Sequence, residues 1–71
     1  MKIKEVEFKS AIKWPGESTR NRYFKSDQHD IEFKDGLVKV ARKGSDAAPT
    51  FAPLGNVEWF TPLDAPAGKG R

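Results

Sequence analysis

Residues 30–42 read DIEFKDGLVKVAR, and the two residues at their centre decide what kind of fold the chain takes. Asp35-Gly36 lies between two runs of β-forming residues, and Asp-Gly is a preferred dipeptide for the two-residue type I′ hairpin turn. Such a turn sets the register outright: Lys34 faces Leu37, Phe33 faces Val38, Glu32 faces Lys39 and Ile31 faces Val40. Both apolar cross-strand pairs then share one face, and a Glu–Lys pair takes the other. Turn dipeptide, apolar pairing and charge pairing agree on a hairpin within an antiparallel sheet.

Upstream, KIKEVEFKSAIKW (2–14) alternates with a period of two. Val6, Phe8, Ser10, Ile12 and Trp14 fall on one face, and Glu5, Glu7, Lys9, Ala11 and Lys13 on the other, the pattern of a half-buried strand. Ile3 is out of phase, which marks a bulge or a loose start. PGES (15–18) ends the strand, because Pro15 cannot donate to a ladder and Gly16 opens turn geometry. The stretch STRNRYFKS (18–26) reads as a further strand. In it, alternation puts Arg20, Arg22 and Phe24 on one side and Asn21, Tyr23 and Lys25 on the other.

Downstream, KGSDAAPT (43–50) has the composition of a loop. In FAPLGNVEWF (51–60), Pro53 starts a turn, Gly55-Asn56 offers the left-handed conformation, and Val57 to Phe60 resumes an extended strand. That last strand returns to close the sheet beside the first. Val57 and Trp59 share one of its faces, Glu58 and Phe60 the other. The remaining residues are rich in Pro, Gly and Ala, so a domain over 1–61 and a disordered tail over 62–71 are expected. No segment supports a helix longer than a turn or so.

The chain has 71 residues and no cysteine. One domain is implied, near the lower limit at which a core alone holds a fold, so a partner or a second copy is a candidate stabiliser. Without cysteine there are no disulfides or thiolate metal sites, and an intracellular, cytoplasmic setting is expected. No apolar run approaches a membrane span, and the charged, alternating N-terminus is not a signal peptide. The formal charge of +3 is unevenly spread. Residues 1–25 carry Lys2, Lys4, Lys9, Lys13, Arg20, Arg22 and Lys25 against three glutamates. Residues 26–36 carry Asp27, Asp30, Glu32 and Asp35 against Lys34 alone, and residues 37–43 are again basic. Blocks of this kind make a two-sided surface, one side attractive to anions.

These elements describe an all-β protein, a small curled sheet or barrel of four to five antiparallel strands. The order of a long first strand, a loop, a DG hairpin and F-x-P-L-x-N-V-x-x-F entering the last strand resembles small phage or prophage proteins with an SH3-like barrel. The resemblance covers roughly residues 3–60 and rests on Phe51, Pro53, Leu54, Asn56, Val57, Phe60 and the strand spacing. It implies an origin and a fold more than an activity, because such barrels host nucleic-acid binders, peptide binders and assembly modules alike.

Catalysis is not expected. The one histidine, His29, lies in SDQHD, which reads as an exposed polar turn, and no nucleophile or second base accompanies it. No phosphate-cradling glycine loop, metal-ligand spacing or cofactor motif is present. Two binding functions remain. Arginines beside aromatic rings are what single-stranded nucleic acid needs, guanidinium on phosphate and a ring under a base. Lys13, Trp14, Arg20, Arg22, Tyr23, Phe24, Lys25, Lys39 and Arg42 are the candidates for that surface, with DNA the expected ligand. Against this, Phe24 or Tyr23 can equally pack in the core, with arginine stems lying over its edge. The alternative is a protein-interaction module, such as a phage factor docking on a host protein or virion component. Its contacts would be an open strand edge and whichever of Trp59 and Phe60 is not core.

Overall fold

The computed structural model describes residues 1–63. Among the described residues six strands, β1 (Lys2–Lys13), β2 (Arg20–Lys25), β3 (His29–Lys34), β4 (Leu37–Arg42), β5 (Thr50–Pro53) and β6 (Val57–Pro62), form one antiparallel sheet, and the only helical piece there is a 3₁₀ turn at Leu54–Asn56. The strand order is β2-β1-β3-β4-β5, with β6 also paired to β1. Among the described residues no ladder joins β5 to β6, so the sheet curls without closing. The expected tail begins inside the last strand: β6 runs through Pro62, and the Leu63 N–H donates to the Lys2 carbonyl at 3.1 Å. Residues 64–71, the rest of that tail, lie outside the described residues.

The hairpin has the register that its turn dictates, from Lys34 opposite Leu37 out to Ile31 opposite Val40 and on to His29 opposite Arg42. Asp35 at φ 54° and Gly36 at φ 78° supply the two positive angles of a type I′ turn. Its inner face brings Ile31, Val38 and Val40 to the core, where they meet Ile3, Val6, Phe8 and Ile12 of β1, Phe24 of β2 and Ala52 of β5.

β1 organises the rest. One edge pairs first with β3 and then with β2, and the other pairs with β6. The β1–β6 ladder slips twice, between Ile3 and Glu5 and between Glu7 and Phe8. The first slip brings the out-of-phase Ile3 inward. At the second, two residues of β6 oppose one of β1, so Glu58 is the extra residue. Val57, opposite Phe8, therefore turns toward the core, whereas Trp59, opposite Glu7, turns outward. The expectation that Val57 and Trp59 share a face fails at this bulge.

A larger irregularity separates Glu7 from Ile12 on the β2 side, leaving backbone groups of β1 without a ladder. Side chains fill the gap from both edges. Arg22 Nε donates to the Phe8 carbonyl at 3.0 Å, and Arg20 Nη1 makes a longer contact of 3.4 Å to the Ala11 carbonyl. From the opposite edge the Asn56 amide acts as a strand of one residue. Its Oδ1 accepts from the Ser10 N–H and its Nδ2 donates to the Ser10 carbonyl, each at 3.0 Å. The proline-leucine-glycine-asparagine run thus aims an amide at β1. It does so from a 3₁₀ turn, not from the expected left-handed Gly55-Asn56, since neither residue has positive φ.

Candidate functional site

The same irregularity redistributes the side chains of β2. Phe24 sits opposite Val6 and Tyr23 opposite Glu7, whereas Asn21 is opposite Ile12 and Arg20 opposite Lys13. Paired residues share a face, so the bulge breaks the alternation that would group Arg20 with Phe24. Phe24 is 1% exposed and belongs to the core, which removes it from the candidate surface.

Pairing Lys13 with Arg20 sets two cations directly opposite each other, an arrangement that destabilises a sheet. Among the described residues neither has a carboxylate within ion-pairing distance. The turn that follows is drawn tight by the Trp14 N–H donating to the Thr19 carbonyl at 2.8 Å and the Glu17 N–H donating to the Trp14 carbonyl at 3.0 Å. Gly16, at φ 82°, permits that turn and lies against Ala47 of the β4–β5 loop.

Trp14 is half-buried. Its ring lies 5.4 Å from Phe24 and 4.6 Å from His29, the latter nearly perpendicular, and the Arg42 guanidinium stands 5.7 Å from its centroid. Arg42 Nη1 donates to Glu17 Oε2 at 3.1 Å, and Thr19 Oγ1 makes a 3.4 Å contact to Glu17 Oε1. Together Trp14, Glu17, Thr19, Arg20, Asn21 and Arg42 line a shallow cleft of about 370 Å³. Three of the sequence candidates, Trp14, Arg20 and Arg42, meet there, with Lys13 beside Arg20.

Beneath the cleft lies His29, which the sequence reading places in an exposed turn. It is instead 1% exposed, packed edge-on against Trp14 and Phe24. The turn ends at Gln28, two residues before the end of the polar run, and His29 starts β3 on the same inner face as Ile31. The alternation His-x-Ile-x-Phe carried that signal. Neither ring nitrogen completes a hydrogen bond among the described residues. Burial holds the imidazole pKa below its ordinary 6.5; the nearby Lys25 backbone opposes this, Arg42 adds to it and Asp27 opposes it.

The sign for stability follows from the neutral ring. The unfolded chain takes up a proton near pH 6.5 and the folded one only lower, so this contribution is whole above 6.5 and is lost as pH falls toward the folded value. Glu5, whose pKa lies below 4.5, is not called on until more acidic conditions. The urea midpoint should therefore drop between pH 7 and pH 5, and His29→Leu should remove most of that drop. An equal drop in the variant would show that other groups cause it.

The other candidates lie elsewhere. Lys39 sits between Glu32 and Phe51 on the outer face of β3–β4–β5, lining a separate hollow of about 280 Å³ with Leu37. Arg22 is tied to Glu7 at 3.3 Å as well as to the Phe8 carbonyl. Lys25 is opposite Glu5. The Tyr23 hydroxyl donates to Glu5 at 2.6 Å, a bond that lowers the carboxyl's pKa, helped by the Thr61 hydroxyl, and raises the phenol's.

No family model, curated protein or solved structure matches the chain.

Tyr23 also meets Trp59 across Glu7, ring centroids 6.1 Å apart, on the outward side of β2–β1–β6. Trp59 and Phe60 do take opposite faces, yet neither is enclosed, at 42% and 40% exposure. Phe60, opposite Val6, packs edge-on against Phe33 at 4.8 Å. Sequence reasoning missed Glu17, Thr19 and Asn21 as cleft residues, because only the tertiary turn brings them beside Trp14 and Arg42. No helix among the described residues is long and apolar enough to cross a membrane, and none of their His, Asp and Glu side chains cluster as metal ligands do.

Proposed function

We propose that this chain is a small, non-catalytic, phage-type module that binds single-stranded nucleic acid, DNA foremost, at the Trp14–Arg20–Arg42 cleft. The observation that carries the reading is the cross-strand Lys13–Arg20 pair, two cations held opposite each other without a carboxylate partner among the described residues. An anion between them turns a repulsive pair into a favourable site. Beside it, Arg42 over Trp14 offers a guanidinium plane on which an unpaired base can stack, with Asn21 and Thr19 at hand to hydrogen-bond it.

Fluorescence anisotropy with a labelled oligonucleotide at several salt concentrations tests this. Three phosphate contacts on a single strand give a slope of log K against log salt of about −2. Arg20→Ala should weaken all sequences alike and reduce the slope's magnitude by about 0.7. Absence of binding to single- and double-stranded oligonucleotides in low salt would remove the reading.

One observation favours a second reading. The Tyr23–Trp59 ring pair lies outside the core and away from the cleft, on a face where aromatic residues serve protein interfaces. A host or virion protein docking there, or a second copy, would lose affinity on Trp59→Ala, while binding to oligonucleotides would not change.

A further inference from the structure

Glu17 is at odds with a pure phosphate site, since it lines a cleft whose other polar side chains are cations and neutral hydrogen-bonding groups. A carboxylate repels phosphate; what it offers a nucleic acid is an acceptor for the donors on a base edge. Its position suits that use. Arg42 Nη1 donates to Oε2 at 3.1 Å, and Thr19 Oγ1 contacts Oε1 at 3.4 Å. An ionised carboxylate has about four acceptor directions, so these contacts steady it and leave each oxygen able to accept once more. The same Arg42 guanidinium stands over Trp14 and provides the stacking plane. Trp14 Nε1 is buried, so the indole contributes no donor to the cleft. A purine lying on Arg42 is wider than the guanidinium, and its edge reaches past it to the carboxylate.

We propose that the cleft selects guanine, Glu17 accepting from its paired donors and Asn21 donating to its exocyclic oxygen. The inference rests on the nucleic-acid reading above. It follows from what each base presents on its Watson–Crick edge. Guanine alone carries two adjacent donors, N1–H and the 2-amino group, which match the two oxygens of a carboxylate. Its O6 lies next to them and takes a donor such as the Asn21 amide, which lines the same cleft. Adenine and cytosine each set one amino donor beside a ring-nitrogen acceptor, and that acceptor opposes the second carboxylate oxygen. Thymine sets a single N–H between two carbonyls. Guanine uses the free directions of the Glu17 oxygens, so the bond to Arg42 is kept and nothing is displaced. Phosphate contacts are alike for every sequence, so Lys13 and Arg20 supply affinity and Glu17 supplies the preference.

The test uses the whole chain and short labelled strands of abasic units with one base at the centre: guanine, inosine, adenine, cytosine or thymine. At low salt the guanine strand should bind about fivefold more tightly than the adenine strand. That is the lower end of what a bidentate base contact gives, because Arg42 and Glu17 are substantially exposed, at 39% and 51%. Inosine, which is guanine without the 2-amino group, should fall between the two. In Glu17→Gln the guanine-to-adenine ratio should drop to about one or below, because an amide presents one donor and one acceptor and so suits adenine. The ratio is read within one protein, so the general gain from removing a negative charge cancels. Equal affinities of the parent chain for all the strands overturn the proposal while leaving the nucleic-acid reading intact. A preference for cytosine overturns the assignment of guanine, and a guanine preference unchanged in Glu17→Gln overturns the role of Glu17. Failure of every strand to bind, an ordinary single strand of mixed sequence included, overturns the nucleic-acid reading itself, and this proposal with it.

Discussion

Phe24→Ala is expected to lose about 3–5 kcal/mol of stability, the cost of emptying a buried phenyl site. For a domain of this size that is comparable with the whole free energy of folding. Phe24 is 1% exposed and touches three rings at once: Phe8 edge-on at 6.0 Å, Trp14 at 5.4 Å and His29 at 5.2 Å. Removing it takes away the support on which the cleft's Trp14 rests as well as part of the core. Far-UV circular dichroism and a urea titration should find the variant largely unfolded at 25 °C. Tyr23→Ala, one residue away but on the outer face, should cost far less. A Phe24→Ala protein that folds normally and merely binds oligonucleotides less well would return Phe24 to the surface.

Gly16→Val carries the second large penalty, from two separate sources. The backbone sits at φ 82°, where a β-branched residue is strained by roughly 1–3 kcal/mol. In addition, a Cβ at this position would stand 2.8 Å from that of Ala47, closer than two carbons approach. Ala47 has no longer side chain to swing aside, so the turn or the β4–β5 loop must move. A combined loss of about 2–4 kcal/mol is expected. The sources separate in a double-mutant cycle on Gly16→Ala: adding Ala47→Gly should recover the contact part and leave the φ part. No recovery would mean that the two segments do not touch.

What the sequence disclosed and what it concealed divide along a physical line. The Asp35-Gly36 hairpin was legible because turn, register and facing pairs all lie within a dozen residues. The alternation of β1 was legible for the same reason; the return of β6 beside it followed only from the turn signal at 53–56 and the need to close a small sheet. The faces of β2 were not, because its irregularity is imposed by a partner strand, and pairing across it decides where Arg20 and Phe24 point. Asn56 looked like a turn residue; its amide clamps Ser10, 46 residues away, which no local pattern encodes. Of the candidate surface, the basic and aromatic composition around Trp14 was legible. Its actual membership was not, since the cleft is assembled from the end of β1, the turn after it, β2 and the end of β4.

The double pairing of β1 also dictates the order in which the protein can be completed. Residues 3–8 lie between β2 and β3 on one side and β6 on the other, and the β6 partners are the last to be made: Val6 meets Phe60, and Glu7 meets Trp59. At about 5–20 residues per second on the ribosome, the first strand waits several seconds before the chain that covers its second edge exists. The early contacts, above all the hairpin, are local and quick; the closing ones span about fifty residues or more and must bear the loop-closure entropy that slows β proteins. A nascent chain stalled before residue 57 therefore presents β1 as a bare template for another strand, the species against which a cell's holding chaperones act.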